Sequence, residues 1–285
     1  MKKRDNEGNR ENQRFYNTIK ESPGFYDLQG INLQKEDNLS MAVEAVDLEN
    51  DKLDDYKNLP GLSDKDMYVK ALLAEKLSIP LFLIRHRRGI FYIDQVVRKE
   101  LHEENYIQHI QQYKFTEEEF IDWWYRKCGS AQNKEYKEKT NNYFQKSFFD
   151  KLLLKNGLSW ILNIDGIYAT IKSSSKRVDI RAIIEVRMTS EKYRLKVEDY
   201  TPEKYYKDDK RAWSTLKSIA DKLNVPLILL TFSRYEDLNN INKVGAAVVT
   251  DTKETIKYKN DIAPKDNIFL DSYNLLEWLK LNIIK

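Results

Sequence analysis

The chain has 285 residues, of which 41% are hydrophobic, 33% charged and 12% aromatic, with a formal net charge of +3. That apolar content supports a packed core in one large domain or two small ones, and it excludes a disordered, collagen-like or low-complexity polypeptide. A single cysteine, Cys128, excludes an internal disulfide framework and a cysteine-based zinc ribbon, and no apolar run approaches the ~20 residues that span a bilayer.

The opening MKKRDNEGNRENQ is basic but has no apolar segment behind it, so it does not read as a secretory signal. The expectation is a cytoplasmic protein with no membrane association. Charge is unevenly placed. Residues 1–130 hold 20 Lys and Arg against 24 Asp and Glu, a balance of −4; the rest of the chain carries +7. A basic second half is compatible with nucleic acid, and equally with ordinary surface charge.

In chain order, residues 10–21 read as an amphipathic helix, followed by a strand near FYDLQGI and a second strand at AVEAV. A helix ending in AEKL, a turn with Pro80 and the apolar strand IPLFLI come next. Residues 93–126 read as helical, rich in acidic, basic and aromatic side chains. The polar stretch 129–140 reads as a linker, which divides the chain into 1–130 and 131–285. Beyond it come a helix at 141–155, strands at SWILNI and RAIIEVRM, a helix at 208–223 and the strand PLILLTF. A polar turn (YEDLNNINK), a strand (GAAVV) and a helix at 272–284, with Trp278 and its leucines inward, close the chain.

The two halves resemble each other. AEKLSIPLFLI at 74–84 matches ADKLNVPLILL at 220–230. Upstream, Gln29 falls opposite Asp165, Gly30 opposite Gly166, and Glu44 opposite Glu185. A tandem duplication explains this order; so does the habit of α/β proteins to repeat a helix, a turn, a proline and an apolar strand. Each half predicts a mixed α/β sheet flanked by helices.

The second half carries the candidate chemistry. Asp165 ends an apolar strand before Gly166. Glu185 and Arg187 lie two apart in another strand, and so on one face. A hairpin brings Asp165 to the same end. Two carboxylates converging beside a cation make a hard oxygen site suited to Mg²⁺. Glu185 interrupts an apolar run, and a buried carboxylate is costly unless paired or metal-bound. The alternative is a structural Glu–Arg pair.

Asp165, then Glu185-Val186-Arg187 in an apolar strand, then a helix and another strand, resembles the PD-(D/E)XK nuclease superfamily over roughly 143–250, with a weaker echo over 10–85. The resemblance implies a restriction-endonuclease-like fold and Mg²⁺- or Mn²⁺-dependent hydrolysis of DNA, in restriction, phage defence or a mobile element. Asp165 and Glu185 would be metal ligands, and Arg187 would hold phosphate in the catalytic set. Two departures stand out: Ile164 occupies the proline position and Arg187 the lysine position. Arginine stabilises phosphate but cannot serve as a base, so Arg187 acts by electrostatics alone, or Lys172 or Lys196 substitutes for the lysine, or the site is weakened or dead. Lys210, Arg211 and Lys217 on the following helix are candidate DNA-backbone contacts. In the first half only Glu44 matches, with Gln29 at the aspartate position and Val46 at the lysine position, so that site reads as degenerate unless Asp27 substitutes. Two functions follow: an active endonuclease, or an inactive nuclease-fold subunit that binds nucleic acid or assembles with a protein partner or a second copy of itself.

Other features carry less. His86 in RHRR offers a phosphate contact or a solvated turn. His102 and His109, seven apart, share a face of the expected helix without a third ligand. Trp123-Trp124-Tyr125 reads as core packing before base stacking, and Cys128 as inert. No phosphate-binding GxxxxGK[ST], dinucleotide GxGxxG or GxSxG motif occurs.

Overall fold

The computed structural model describes residues 24–33, 38–48, 53–59, 61–99, 107–129, 148–159, 161–172, 177–188, 202–232, 244–259 and 277–281. They form two compact units, one built on Tyr26–Asn163 and the other on Ile164–Lys285.

The first unit contains β1 (Phe25–Leu33), β2 (Leu39–Asp47), a 3-10 turn (Leu53–Asn58), α1 (Asp64–Lys76), β3 (Leu81–Arg87), β4 (Ile90–Arg98), β5 (Ile107–Thr116), α2 (Glu117–Cys128) and α3 (Phe148–Lys155). Its strands lie side by side in chain order. Among the described residues of this unit, β2 and β3 run parallel, joined by the α1 crossover, and β1–β2, β3–β4 and β4–β5 are antiparallel. Alternation along β2 divides the faces. Met41, Val43 and Ala45 enter a core with Phe91, Ile93, Phe120, Trp123 and Trp124, completed by Phe149, Leu152 and Leu153 of α3. This first unit therefore extends beyond the polar stretch at 129–140. Glu44, between Val43 and Ala45, points to the opposite face, toward α1.

The second unit contains β6 (Ile161–Lys172), β7 (Arg177–Met188), α4 (Pro202–Lys222), β8 (Leu227–Phe232), β9 (Val244–Asp251) and β10 (Lys257–Lys259). Strand order and pairing senses repeat those of the first unit: β6–β7 antiparallel, β7–β8 parallel across α4, then two antiparallel pairs. On α4, Trp213, Leu216, Ile219 and Ala220 are fully buried at helical spacing. Each unit is thus a mixed, mostly antiparallel sheet with helices packed on it.

The repetition reaches individual bonds. Both crossover helices end in the same motif. Ile79 N–H donates to Ala74 O and Val225 N–H to Ala220 O, with Ser78 and Asn224 left-handed at φ 57° and 55°. The next strands then start in one register: Leu81 faces Ala42, and Leu227 faces Ile183.

Three expectations change. Residues 93–126 are not one helix: among the described residues, β4 and β5 occupy the stretch up to Thr116 and α2 alone is helical. A β-bulge between Asp94 and Gln95 breaks the period-2 pattern there, so the strands do not alternate cleanly. His109 accordingly sits on β5; His102 lies outside the described residues. The strand does not end at Asp165: Gly166 lies within β6, as Gly30 lies within β1, each opposite the residue before the glutamate, Ile184 or Val43. A Cβ on Gly166 would stand 2.9 Å from Cβ of Ile184, so close packing demands glycine there. The helix expected at 10–21, the turn at 235–243 and much of the linker lie outside the described residues. At the C-terminus, helical residues 277–281 bury Trp278 and Leu279 but expose Leu281.

Candidate functional site

In the second unit, β6 and β7 bring Asp165 beside Glu185. Gly166 pairs with Ile184, and one Asp165 carboxylate oxygen accepts a 3.0 Å hydrogen bond from the Val186 N–H. The carboxylate is thereby anchored to the residue after the glutamate. Asp165 and Glu185 are 9% and 8% exposed, beside the buried apolar residues Ile164, Ile184 and Val186. Arg187, two residues along the same face, sets its Nε 3.3 Å from Glu185 Oε1. Its guanidinium lies 5.5 Å from the ring centroid of Trp213 on α4, a cation–π distance. Asp165, Glu185 and Arg187 are therefore together, and Trp213 joins them as a member that sequence reasoning missed.

The corresponding place in the first unit follows the same plan with different chemistry. Gln29 takes the role of Asp165: its Oε1 accepts from Ala45 N–H at 3.3 Å, again the residue after the glutamate. The Gln29 N–H donates to Glu44 Oε2 at 3.1 Å. Here the cation comes from the helix. Lys70 Nζ stands 2.9 Å from Glu44 Oε2, 2.7 Å from Gly61 O and 3.5 Å from Asp27 Oδ1. Lys70 is fully buried; Glu44 and Asp27 are nearly so. Burial alone would push the ammonium's pKa down, but Glu44 and then Asp27 outweigh it and hold the value above the ordinary lysine range. Counted back from Pro80 and Pro226, Lys70 corresponds to Leu216, and counted from the glutamates Val46 corresponds to Arg187. Each acidic site thus has one built-in cation, supplied by the helix in one unit and by the strand in the other. The signal for Lys70 was a lone lysine in the apolar helical run of α1, where Met67, Val69 and Leu73 are fully buried.

The candidate backbone contacts divide. Lys210 and Arg211 are exposed on α4. Lys217 instead pairs with Asp221 one turn on. Lys172 ends β6, but its side chain is not described, and Lys196 lies outside the described residues. His86 is not a solvated turn: it sits in β3, 6% exposed, bonded to Asp47 Oδ1 at 2.9 Å and stacked on Phe148 at 4.3 Å. Nearby, Asp94 accepts from Arg85 at 2.5 Å and contacts His109 Nδ1 at 3.0 Å. Trp123 and Trp124 belong to the core, with the Trp124 indole donating to Ser159 O at 2.9 Å. Burial pushes the Cys128 thiol up to about 12.

Among the described residues, no group of three or more His, Cys, Asp or Glu is arranged to hold a metal ion, and no helix is long and apolar enough to cross a membrane. No family model matches the chain, and no curated protein matches it.

Proposed function

We propose that the second unit carries a divalent-metal-dependent centre for phosphodiester hydrolysis, with DNA as substrate. One observation supports this best: the Asp165–Val186 hydrogen bond fixes a second buried carboxylate beside Glu185 in a pair of core strands. Two carboxylates fit Mg²⁺ or Mn²⁺, which bind through one or two such groups and keep several waters. A bound ion would supply an activated water and neutralise charge developing on the phosphate. Asp165 and Glu185 would hold that ion. Arg187, steadied against Trp213, would give the phosphate a charge-assisted hydrogen bond. Lys210 and Arg211, exposed on α4, would meet the nucleic-acid backbone. The first unit, whose Glu44 is already ion-paired with Lys70, would be the non-catalytic copy.

The 3.3 Å contact between Arg187 and Glu185 favours a second reading, in which that pair is closed and the protein is a nuclease-fold subunit without activity. Cleavage of supercoiled and linear DNA in Mg²⁺ or Mn²⁺ separates the two. Activity lost in EDTA and in Glu185→Ala supports the hydrolase. Folded protein that binds DNA without cutting it supports the subunit.

A further inference from the structure

The pocket around Lys70 has the composition of a cation site. Its donors are all hard oxygens: two carboxylates and one backbone carbonyl, at 2.7 to 3.5 Å from Nζ. The ammonium balances only one of the two negative charges. Asp27 Oδ1, in a residue 3% exposed, faces Nζ without any hydrogen bond. Such an oxygen costs free energy unless a cation stays in place. The second unit marks what is special here, because at the same helix position it has Leu216, fully buried in an ordinary apolar contact face.

We propose that Lys70 Nζ is a built-in substitute for a divalent cation, and that the Asp27–Glu44–Gly61 cage becomes a divalent-metal site when the ammonium is removed. The wild-type first unit is then independent of metal, whatever the second unit binds. This rests on the geometry of the first unit and goes beyond the hydrolase reading.

The test uses the full-length chain with Glu185→Ala as background, so that ions bound in the second unit are not counted. Bound Mn²⁺ is measured by the loss of the free-ion paramagnetic resonance signal. The background protein is expected to hold no Mn²⁺ through the first unit, and adding Lys70→Leu to create one new site per chain. Adding Glu44→Gln as well should weaken that site at least tenfold. A folded Lys70→Leu chain that takes up no more Mn²⁺ than the background overturns the proposal. If that variant does not fold alone, Lys70→Gln, which retains hydrogen-bond donors for Glu44 and Gly61 O, replaces it under the same criterion. Should neither fold in metal-free buffer, recovery of the circular dichroism spectrum on adding Mn²⁺ supports the cage, and no recovery refutes it. None of these outcomes depends on DNA cleavage, so failure here and failure of the hydrolase reading are separately visible.

Discussion

Replacing Glu44 by glutamine tests how the first unit tolerates charges in its interior. The substitution conserves shape and removes one charge from a cluster in which Lys70 is fully buried and Glu44 is 1% exposed. At an effective dielectric of about 20, Coulomb's law gives roughly 6 kcal/mol for the contact at 2.9 Å and about 5 kcal/mol for Asp27 at 3.5 Å. The first attraction disappears, the second remains, and the cost of desolvating Glu44 is no longer incurred. The net loss falls at about 3 kcal/mol, the lower end of the range for breaking a buried ion pair. That is a large share of a domain's typical 5–15 kcal/mol. Urea unfolding of the full chain at pH 7, followed by tryptophan fluorescence, measures it, since Trp123 and Trp124 lie in the first unit's core. The pH dependence has a defined sign. Lys70's folded pKa is raised, so its contribution is complete below the unfolded lysine value of about 10.4 and is lost as pH rises through the folded value. The gap between wild type and Glu44→Gln should stay level up to about pH 9 and begin to close only above about 10.4. A loss under about 1 kcal/mol, typical of exposed pairs, would refute the reasoning.

Two further outcomes follow from packing. Gly166→Val should destabilise the second unit by about 1–3 kcal/mol, since even its Cβ would crowd Ile184 at 2.9 Å; a melting temperature equal to wild type would contradict the close approach. Cys128, 7% exposed with its thiol pushed up to about 12, should resist iodoacetamide at pH 8 in the folded chain and react readily in urea. Stoichiometric labelling of folded protein within minutes would count against that burial.

Much of the architecture was legible because it is local. The turns at Ser78 and Asn224, each followed by a proline and an apolar run, announce two crossover helices entering parallel strands, and Glu44 and Glu185 stand out as charges in core strands. The β4–β5 hairpin was hidden by its bulge and by the charged run that leads into α2, where helical spacing is imitated. Lys70 and Trp213 escaped for another reason. Their partners lie 26 residues away in each case, and the strand-to-helix approach that joins them is a tertiary fact. Asp27, two residues from Gln29 on the same face of β1, looked peripheral until Lys70 gave it a charge to face.

The most direct test of the central claim compares matched positions of the two units. Asp165 and Gln29 make the same side-chain hydrogen bond to the residue after a buried glutamate, but only Asp165 is proposed to take part in chemistry. Cleavage of supercoiled DNA in Mn²⁺ should fall at least a hundredfold in Asp165→Ala and stay within about twofold of wild type in Gln29→Ala, an asymmetry of about 2.3 kcal/mol or more in transition-state stabilisation. Equal activity in the two variants, or Mn²⁺-dependent cleavage that survives Asp165→Ala, would contradict it.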